Sequence, residues 1–363
     1  MVSDTSILKG RIQNIRAKLQ SEKVGALIVT VGSNVSYLSG FSGDDSWLIL
    51  TAGQVFLVTD SRYTLQAKNQ CPACRIYQRK GSMIDAVADI FKKLPKVKTI
   101  AVEDKIELAV FKILRKKLPA RIKPVKNLVQ SVRQRKDLSE IVAIKKAIDI
   151  SQKSLVKVLP KIRIGVSETS LAAMLDFEMK NAGANPAFET IVAFGSNSAM
   201  AHHRPSAAKL KKVDTILFDF GAKVNGYCAD LTRCFATGRV TDFYAKVYKT
   251  VLDAQTAAIN ILKSGLKAKA ADAAAKEIIK AAKLPSYGHG LGHGVGLDVH
   301  EQPAVSVISK ASLQNGNVIT VEPAIYLDGK FGIRIEDDVL ITENGCEILS
   351  SLLKSDEVPL LKI

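Results

Sequence analysis

ILFDFGAKVNGYCADLTR, residues 216–233, decides how this chain of 363 residues is read. Two apolar runs flank Asn225-Gly226, a strong signal for a tight β-hairpin. Each run carries one acid, Asp219 in the first and Asp230 in the second. A turn centred on Val224-Asn225 puts Asp219 opposite Asp230; one centred on Asn225-Gly226 puts it opposite Thr232. In either register the two carboxylates share one face of the sheet. Ionised acids that close repel, and the apolar neighbours of Asp219 cannot solvate it. A cation between them removes the conflict.

The same pattern returns in VITVEPAIY (318–326) and GIRIEDDVLIT (332–342), where Glu322 and Glu336 flank a turn around Asp328-Gly329. Ahead of them lies HGLGHGVGLDVHE (289–301), where glycines 288, 290, 292, 294 and 296 leave backbone room beside His293. All five histidines fall between 202 and 300. Among these, His203 and His289 read better as structural residues. Four carboxylate groups and one imidazole form a hard ligand set that suits Mn²⁺ or Co²⁺, with Zn²⁺ next. A metal-dependent hydrolase is the first expectation.

The length implies two domains. Residues 1–130 alternate strand and helix signals, including a hairpin of WLILT (47–51) and VFLVT (55–59), and predict an α/β domain. They contain no glycine-rich phosphate loop. The boundary is expected at 131, where one long basic amphipathic helix should run to Leu159 and end at Pro160. Strands and helices segregate in residues 131–363, which predicts an α+β domain. The first twenty residues read as an amphipathic helix without the apolar core of a signal peptide. No stretch approaches the roughly 20 apolar residues that cross a bilayer. The expected location is the cytoplasm, with no membrane partner.

Five cysteines argue against a disulfide framework. Cys71 and Cys74 form a CxxC, but no second pair completes a zinc site, so free thiols are expected. The net charge is +17, and residues 92–136 hold 15 Lys or Arg against three acids. That stretch has a single aromatic residue, Phe111, and its cations recur beside aliphatic residues as on solvated helix faces. Nucleic acid is therefore not the expected partner.

SAMAHHRP (198–205), ILFDFGAKVNGYCADLTR, HGLGHGVGLDVHE, VITVEPAIY and GIRIEDDVLIT together resemble the motifs of the Xaa-Pro peptidases, prolidase and aminopeptidase P, of the pita-bread metallopeptidases. FSGDDSWLILT (41–51) and LVTDSRYTLQA (57–67) resemble the creatinase-type N-terminal domain. The resemblance implies a pita-bread catalytic domain behind a smaller α/β domain, with two divalent ions per subunit. It places Asp219 on one ion, His293 and Glu322 on the other, and Asp230 and Glu336 as bridges. His202 and His300 match the family's substrate-contacting histidines. Arg334 would hold a ligand carboxylate, and Tyr227 is expected near the substrate. The metals would activate a water, Glu322 would carry its proton to the leaving proline nitrogen, and His300 would stabilise the oxyanion.

Some prolidases carry an arginine shortly after the VHE motif, where this chain has Ala304. That favours an Xaa-Pro aminopeptidase acting on proline-containing peptides, with an Xaa-Pro dipeptidase as the alternative. Methionine aminopeptidases share the five ligands but lack such an N-terminal domain and the RIED motif. Creatinase-type hydrolases have lost the ligands kept here. A non-catalytic binding protein on the same fold ranks last, for the same reason. The resemblance further implies a homodimer.

Overall fold

A computed structural model describes residues 5–363, so the first four residues of the expected N-terminal helix lie outside the described residues. The chain divides into two compact units, one up to Arg133 and the other Gln134–Ile363. In the first, α1 (Thr5–Ser21) buries Leu8, Ile12, Ile15 and Leu19, one stripe at helical spacing. It is followed by β1 (Ala26–Val29), α2 (Gly32–Ser39), β2 (Trp47–Thr51), β3 (Val55–Thr59), α3 (Thr64–Gln70) and β4 (Arg75–Gln78). Then come α4 (Met83–Lys93), β5 (Thr99–Glu103), α5 (Leu108–Lys117), β6 (Arg121–Val125) and α6 (Gln130–Arg133).

These strands form one mixed sheet in the order β4-β3-β2-β1-β5-β6. The β2–β3 hairpin pairs Trp47 with Val58 and Leu50 with Val55, while β5 runs parallel to both β1 and β6. Lys92, Lys93, Lys112, Arg115, Lys116 and Lys117 are exposed on α4 and α5. Arg133 and Lys136, at the end of the basic run, are buried.

The long helix expected over 131–159 is instead two helices, α6 and α7 (Leu138–Val158). The reason is a helix start inside the run. The Asp137 carboxylate accepts the Glu140 N–H at 3.0 Å, and the Glu140 carboxylate accepts the Asp137 N–H at 3.1 Å. Pro160 lies in a single 3₁₀ turn, Leu159–Lys161, that closes α7. Next come α8 (Glu168–Asn181), β7 (Asn185–Pro186), β8 (Ile191–Phe194), β9 (Thr215–Phe220), β10 (Ala222–Val224), β11 (Tyr227–Cys228) and β12 (Leu231–Ala236). The helices α9 (Asp242–Asn260) and α10 (Ala268–Ala281) precede β13 (Gly292–Gly294) and β14 (Glu301–Val305). The unit ends with β15 (Val318–Val321), β16 (Ala324–Leu327), β17 (Phe331–Arg334), β18 (Asp337–Ile341) and β19 (Cys346–Ile348).

Three antiparallel layers position the site: β12-β9-β8, β14-β13-β15-β18-β19 and the β16-β17 hairpin. Val247, Val251, Ala254 and Ala258 of α9 belong to the same core as Val321, Ile325, Ile333 and Ile335. That apolar backing fixes the strands whose other face carries the acids. The second arm of the Asn225-Gly226 hairpin breaks at Ala229-Asp230, between β11 and β12, because the backbone of Ala229 closes on Gly221. A Cβ at Gly221 would stand 1.8 Å from the Ala229 carbonyl oxygen. Gly221→Ala is therefore expected to destabilise the protein by about 2 kcal/mol or more through overpacking. A thermal melt matching wild type would show that this approach does not constrain the fold.

Candidate metal centre

The observed turn is Asn225-Gly226, both residues with positive φ, and Val224 pairs with Tyr227. The register carries on into β9 and β12, where Asp219 faces Thr232. Thr232 also bridges to Glu336 on its other side. Asp219, Thr232 and Glu336 thus stand in a row across three strands. On the other hairpin Val321 pairs with Asp337 and Ala324 with Arg334, so Glu322 and Glu336 face each other where the ladder is interrupted. Gln255 of α9 fills the interruption from behind, donating Nε2 to the carbonyls of Val321 (3.0 Å) and Ile335 (3.1 Å). Those residues immediately precede the two glutamates.

His293 arrives on β13 between two glycines that let three backbones close up. A Cβ at Gly292 would meet Thr320 O at 2.0 Å, and one at Gly294 would meet Gln302 O at 2.2 Å. The His293 Nδ1 is 3.2 Å from Gly294 O, which leaves Nε2 facing inward as the free nitrogen. That nitrogen is 3.3 Å from Glu322 Oε1 and 3.7 Å from Asp230 Oδ2.

Around the acids runs one hydrogen-bonded chain. Arg334 donates from Nη2 to Asp219 Oδ2 (2.5 Å), from Nε to Thr232 Oγ1 (2.9 Å) and from Nη1 to the Tyr326 hydroxyl (2.8 Å). The Thr232 hydroxyl in turn donates to Glu336 Oε2 at 2.6 Å. The second oxygen of Asp219 is buried with no hydrogen-bond partner among the described residues.

Electrostatics single out the same atoms. Burial, followed by the charges of Glu336, Asp219 and Glu322, pushes the Asp230 carboxyl well above its ordinary range. Glu336 is raised likewise by burial, then by Glu322 and Asp219. Burial also raises Asp219, outweighing the guanidinium beside it. For Glu322 burial acts upward, but contact with His293 prevails and holds it low. Asp338 receives the Asp230 N–H on Oδ2 at 3.1 Å, and burial takes it to about 7.

Four carboxylates, three buried and Glu322 half-buried, crowd around Arg334, a deficit of positive charge that oxygen-seeking cations relieve. Ligand atoms come within 4.8 Å of one another in three overlapping groups: Asp219-Asp230-Glu336, His293-Glu322-Glu336 and Asp230-His293-His300. The orphaned Asp219 oxygen and this all-oxygen-and-imidazole set fit divalent ions.

A cavity of about 180 Å³ opens on Asp219, Asp230, His293, Glu322, Glu336, Arg334, His202 and His300. Tyr227, expected near the substrate, does not line this cavity. Its ring is buried and its hydroxyl donates to Glu140 Oε1 at 3.0 Å, because the strand break at Ala229-Asp230 separates it from the acids. His203 is buried against Glu168, whereas His289, read as structural, lines the cavity beside Tyr326. Tyr326 lies on β16, which begins two residues after Glu322, and it carries no signal of its own in the sequence. Thr232 and Gln255 carry no such signal, since their role comes from strands distant in sequence.

Residues 142–343 match metallopeptidase family M24, and residues 11–135 match the creatinase/prolidase N-terminal domain. The Xaa-Pro dipeptidase of Pyrococcus horikoshii is 33% identical over 349 residues, covering 95% of this chain and 97% of the relative. Among solved structures, an Xaa-Pro dipeptidase from Bacillus anthracis superposes with a TM-score of 0.94 at 32% identity, covering 98% of this chain and 100% of that one. An X-Pro aminopeptidase from Thermotoga maritima superposes at 0.86 with 39% identity, covering 93% and 99%.

Proposed function

This chain belongs to metallopeptidase family M24, and we propose that it is an Xaa-Pro aminopeptidase, releasing the first residue of peptides whose second residue is proline. The observation that carries this reading is the convergence of three buried carboxylates, the half-buried Glu322 and His293 on one cavity. Two divalent ions are assigned there, Mn²⁺ first and Co²⁺ or Zn²⁺ next. Asp219 would hold one ion, His293 and Glu322 the other, with Asp230 and Glu336 shared. Bound there, the ions would acidify a water and polarise the scissile carbonyl.

The chain's own residues do the rest. Glu322 would accept the water's proton and return it to the departing proline nitrogen. Partial desolvation and the neighbouring His293 lower the His300 pKa, which favours the neutral ring that can donate one N–H to the developing oxyanion. His202 meets the substrate from the opposite segment. Arg334 locks Asp219 directly and Glu336 through Thr232.

An Xaa-Pro dipeptidase is the second reading, favoured by the likeness to the Pyrococcus and Bacillus enzymes. Against it stands Ala304 on β14, which offers no cation to a dipeptide carboxylate. Product analysis on Gly-Pro, Ala-Pro-Ala and a longer Xaa-Pro peptide, with Mn²⁺, Co²⁺, Zn²⁺ or chelator, separates the two. Cleavage confined to Gly-Pro would overturn the aminopeptidase reading, and hydrolysis that survives chelation would overturn the metal assignment. A cytoplasmic homodimer is part of the proposal. No described helix is long and apolar enough to cross a membrane. Sedimentation of the purified protein at the monomer mass would remove the dimer.

Proton linkage supplies a further prediction. Asp230, Glu336 and Asp338 have folded pKa values raised above the unfolded value of roughly 4. The stability they contribute to the metal-free protein is complete below that value and is lost as pH rises, for Asp338 through about 7. Ligands must shed protons to bind metal. The upward shift in Tm on adding Mn²⁺ should therefore grow steadily between about pH 4 and 7. A shift independent of pH across that window would contradict the assignment.

A further inference from the structure

His202 and His300 are the exposed histidines of the cavity, and neither ring makes a hydrogen bond among the described residues. In both cases the next residue in the chain is gripped instead. His203 is buried, with Nε2 2.8 Å from Glu168 Oε2. Glu168, fully buried at the start of α8, also accepts the Ser206 N–H (2.9 Å) and Ser206 hydroxyl (2.6 Å). Its other oxygen takes the Phe194 N–H (2.7 Å) and Asn197 Nδ2 (2.8 Å). One carboxylate thus ties down both sides of the segment that presents His202. Burial opposes its ionisation, but these donors prevail and hold it below the usual carboxylate range.

Glu301 follows His300 and repeats the arrangement. Its Oε1 lies 2.6 Å from Lys136 Nζ, and the two side chains are 5% and 0% exposed. Lys136 is itself fixed, its N–H bonded to Gly316 O at 2.7 Å. Gly296 makes room for the Glu301 carboxylate, since a Cβ there would stand 2.3 Å from Oε1. The loop carrying His300 is therefore folded onto a buried ion pair.

A ring without hydrogen bonds of its own depends on its backbone for placement, even where, as for His300, it packs against the His293 ring. Charge-assisted contacts buried one residue away hold that backbone at fixed geometry. We propose that Glu168 and the Lys136–Glu301 pair are positioning residues for His202 and His300, each acting through the residue that follows the histidine. The inference rests on the reading in which those histidines meet the substrate.

Double-mutant cycles test it. Glu168→Gln and Glu301→Gln should each lower kcat between roughly tenfold and a hundredfold, as misplaced catalytic groups do. KM should change by no more than about twofold, and metal content should not change, because no proposed ligand is touched. In the His202→Ala background Glu168→Gln should have almost no further effect, and likewise Glu301→Gln in His300→Ala. In metal-free protein the ring NMR signals of His202 and His300 should broaden in the corresponding anchor variant. If Glu168→Gln does not fold, His203→Asn cuts the same tether and leaves Glu168 its other donors. If Glu301→Gln does not fold, the neutral pair Lys136→Met with Glu301→Gln replaces it.

An anchor variant with wild-type kcat overturns the inference. So does one that lowers kcat equally when the histidine is already gone. Unchanged kcat in His202→Ala or His300→Ala would strike the histidine roles themselves, and the inference with them.

Discussion

Glu336→Ala is expected to abolish hydrolysis and metal loading together, and Asp230→Ala to do the same. Both acids are buried, both are forced above their ordinary pKa by burial and by each other's neighbours, and both stand between the remaining ligand groups. Removing either withdraws a shared oxygen from both proposed ions. The loss should exceed the roughly 10²-fold that removal of an outer partner such as Arg334 brings. The metal-free fold should survive, since alanine relieves carboxylate repulsion in an apolar surround. The measurements are metal stoichiometry, hydrolysis of an Xaa-Pro peptide and a circular dichroism melt of the same preparation. Two ions per chain and full activity in either variant would end the assignment of that acid as a shared ligand.

His300→Ala should lower kcat by about 10²–10³-fold, the range for losing one donor to an oxyanion, while leaving both ions in place. The geometry makes this a sharp test. His300 packs edge-on against His293, with ring centroids 4.3 Å apart, and it shares a cluster with Asp230 and His293 that would itself suit a cation. A donor role and a ligand role therefore compete for the same ring. Metal analysis decides between them. Loss of an ion on substitution would make His300 a ligand and would move oxyanion stabilisation to another group.

The acid pairs were legible because hairpins are local. Asn225-Gly226 sets the register that carries through to Asp219 and Thr232, the second of the two registers the sequence allowed. The turn at Asp328-Gly329 likewise puts Glu322 across from Glu336. The α/β character of the first unit was legible for the same reason, since alternation and turn residues act over a few positions. The break between α6 and α7 was also written locally, in the Asp137–Glu140 reciprocal cap, but helical periodicity on both sides masked it. Tyr227 was misplaced because strand continuity was assumed where Ala229 closes on Gly221.

Sequence alone therefore determined which acids pair, which histidine sits among glycines and which chemistry such a set supports. Each of those depends on turn and strand preferences acting over fewer than about twenty residues. Only the tertiary structure decided that the two hairpins meet, through Thr232 touching both Asp219 and Glu336. It alone assigned Gln255 to the gap behind the glutamates, and Glu168 and Lys136 to the residues beside the histidines. Those contacts join segments from 35 to 165 positions apart. No local preference encodes them; they exist because buried polar atoms must find partners wherever packing brings them together.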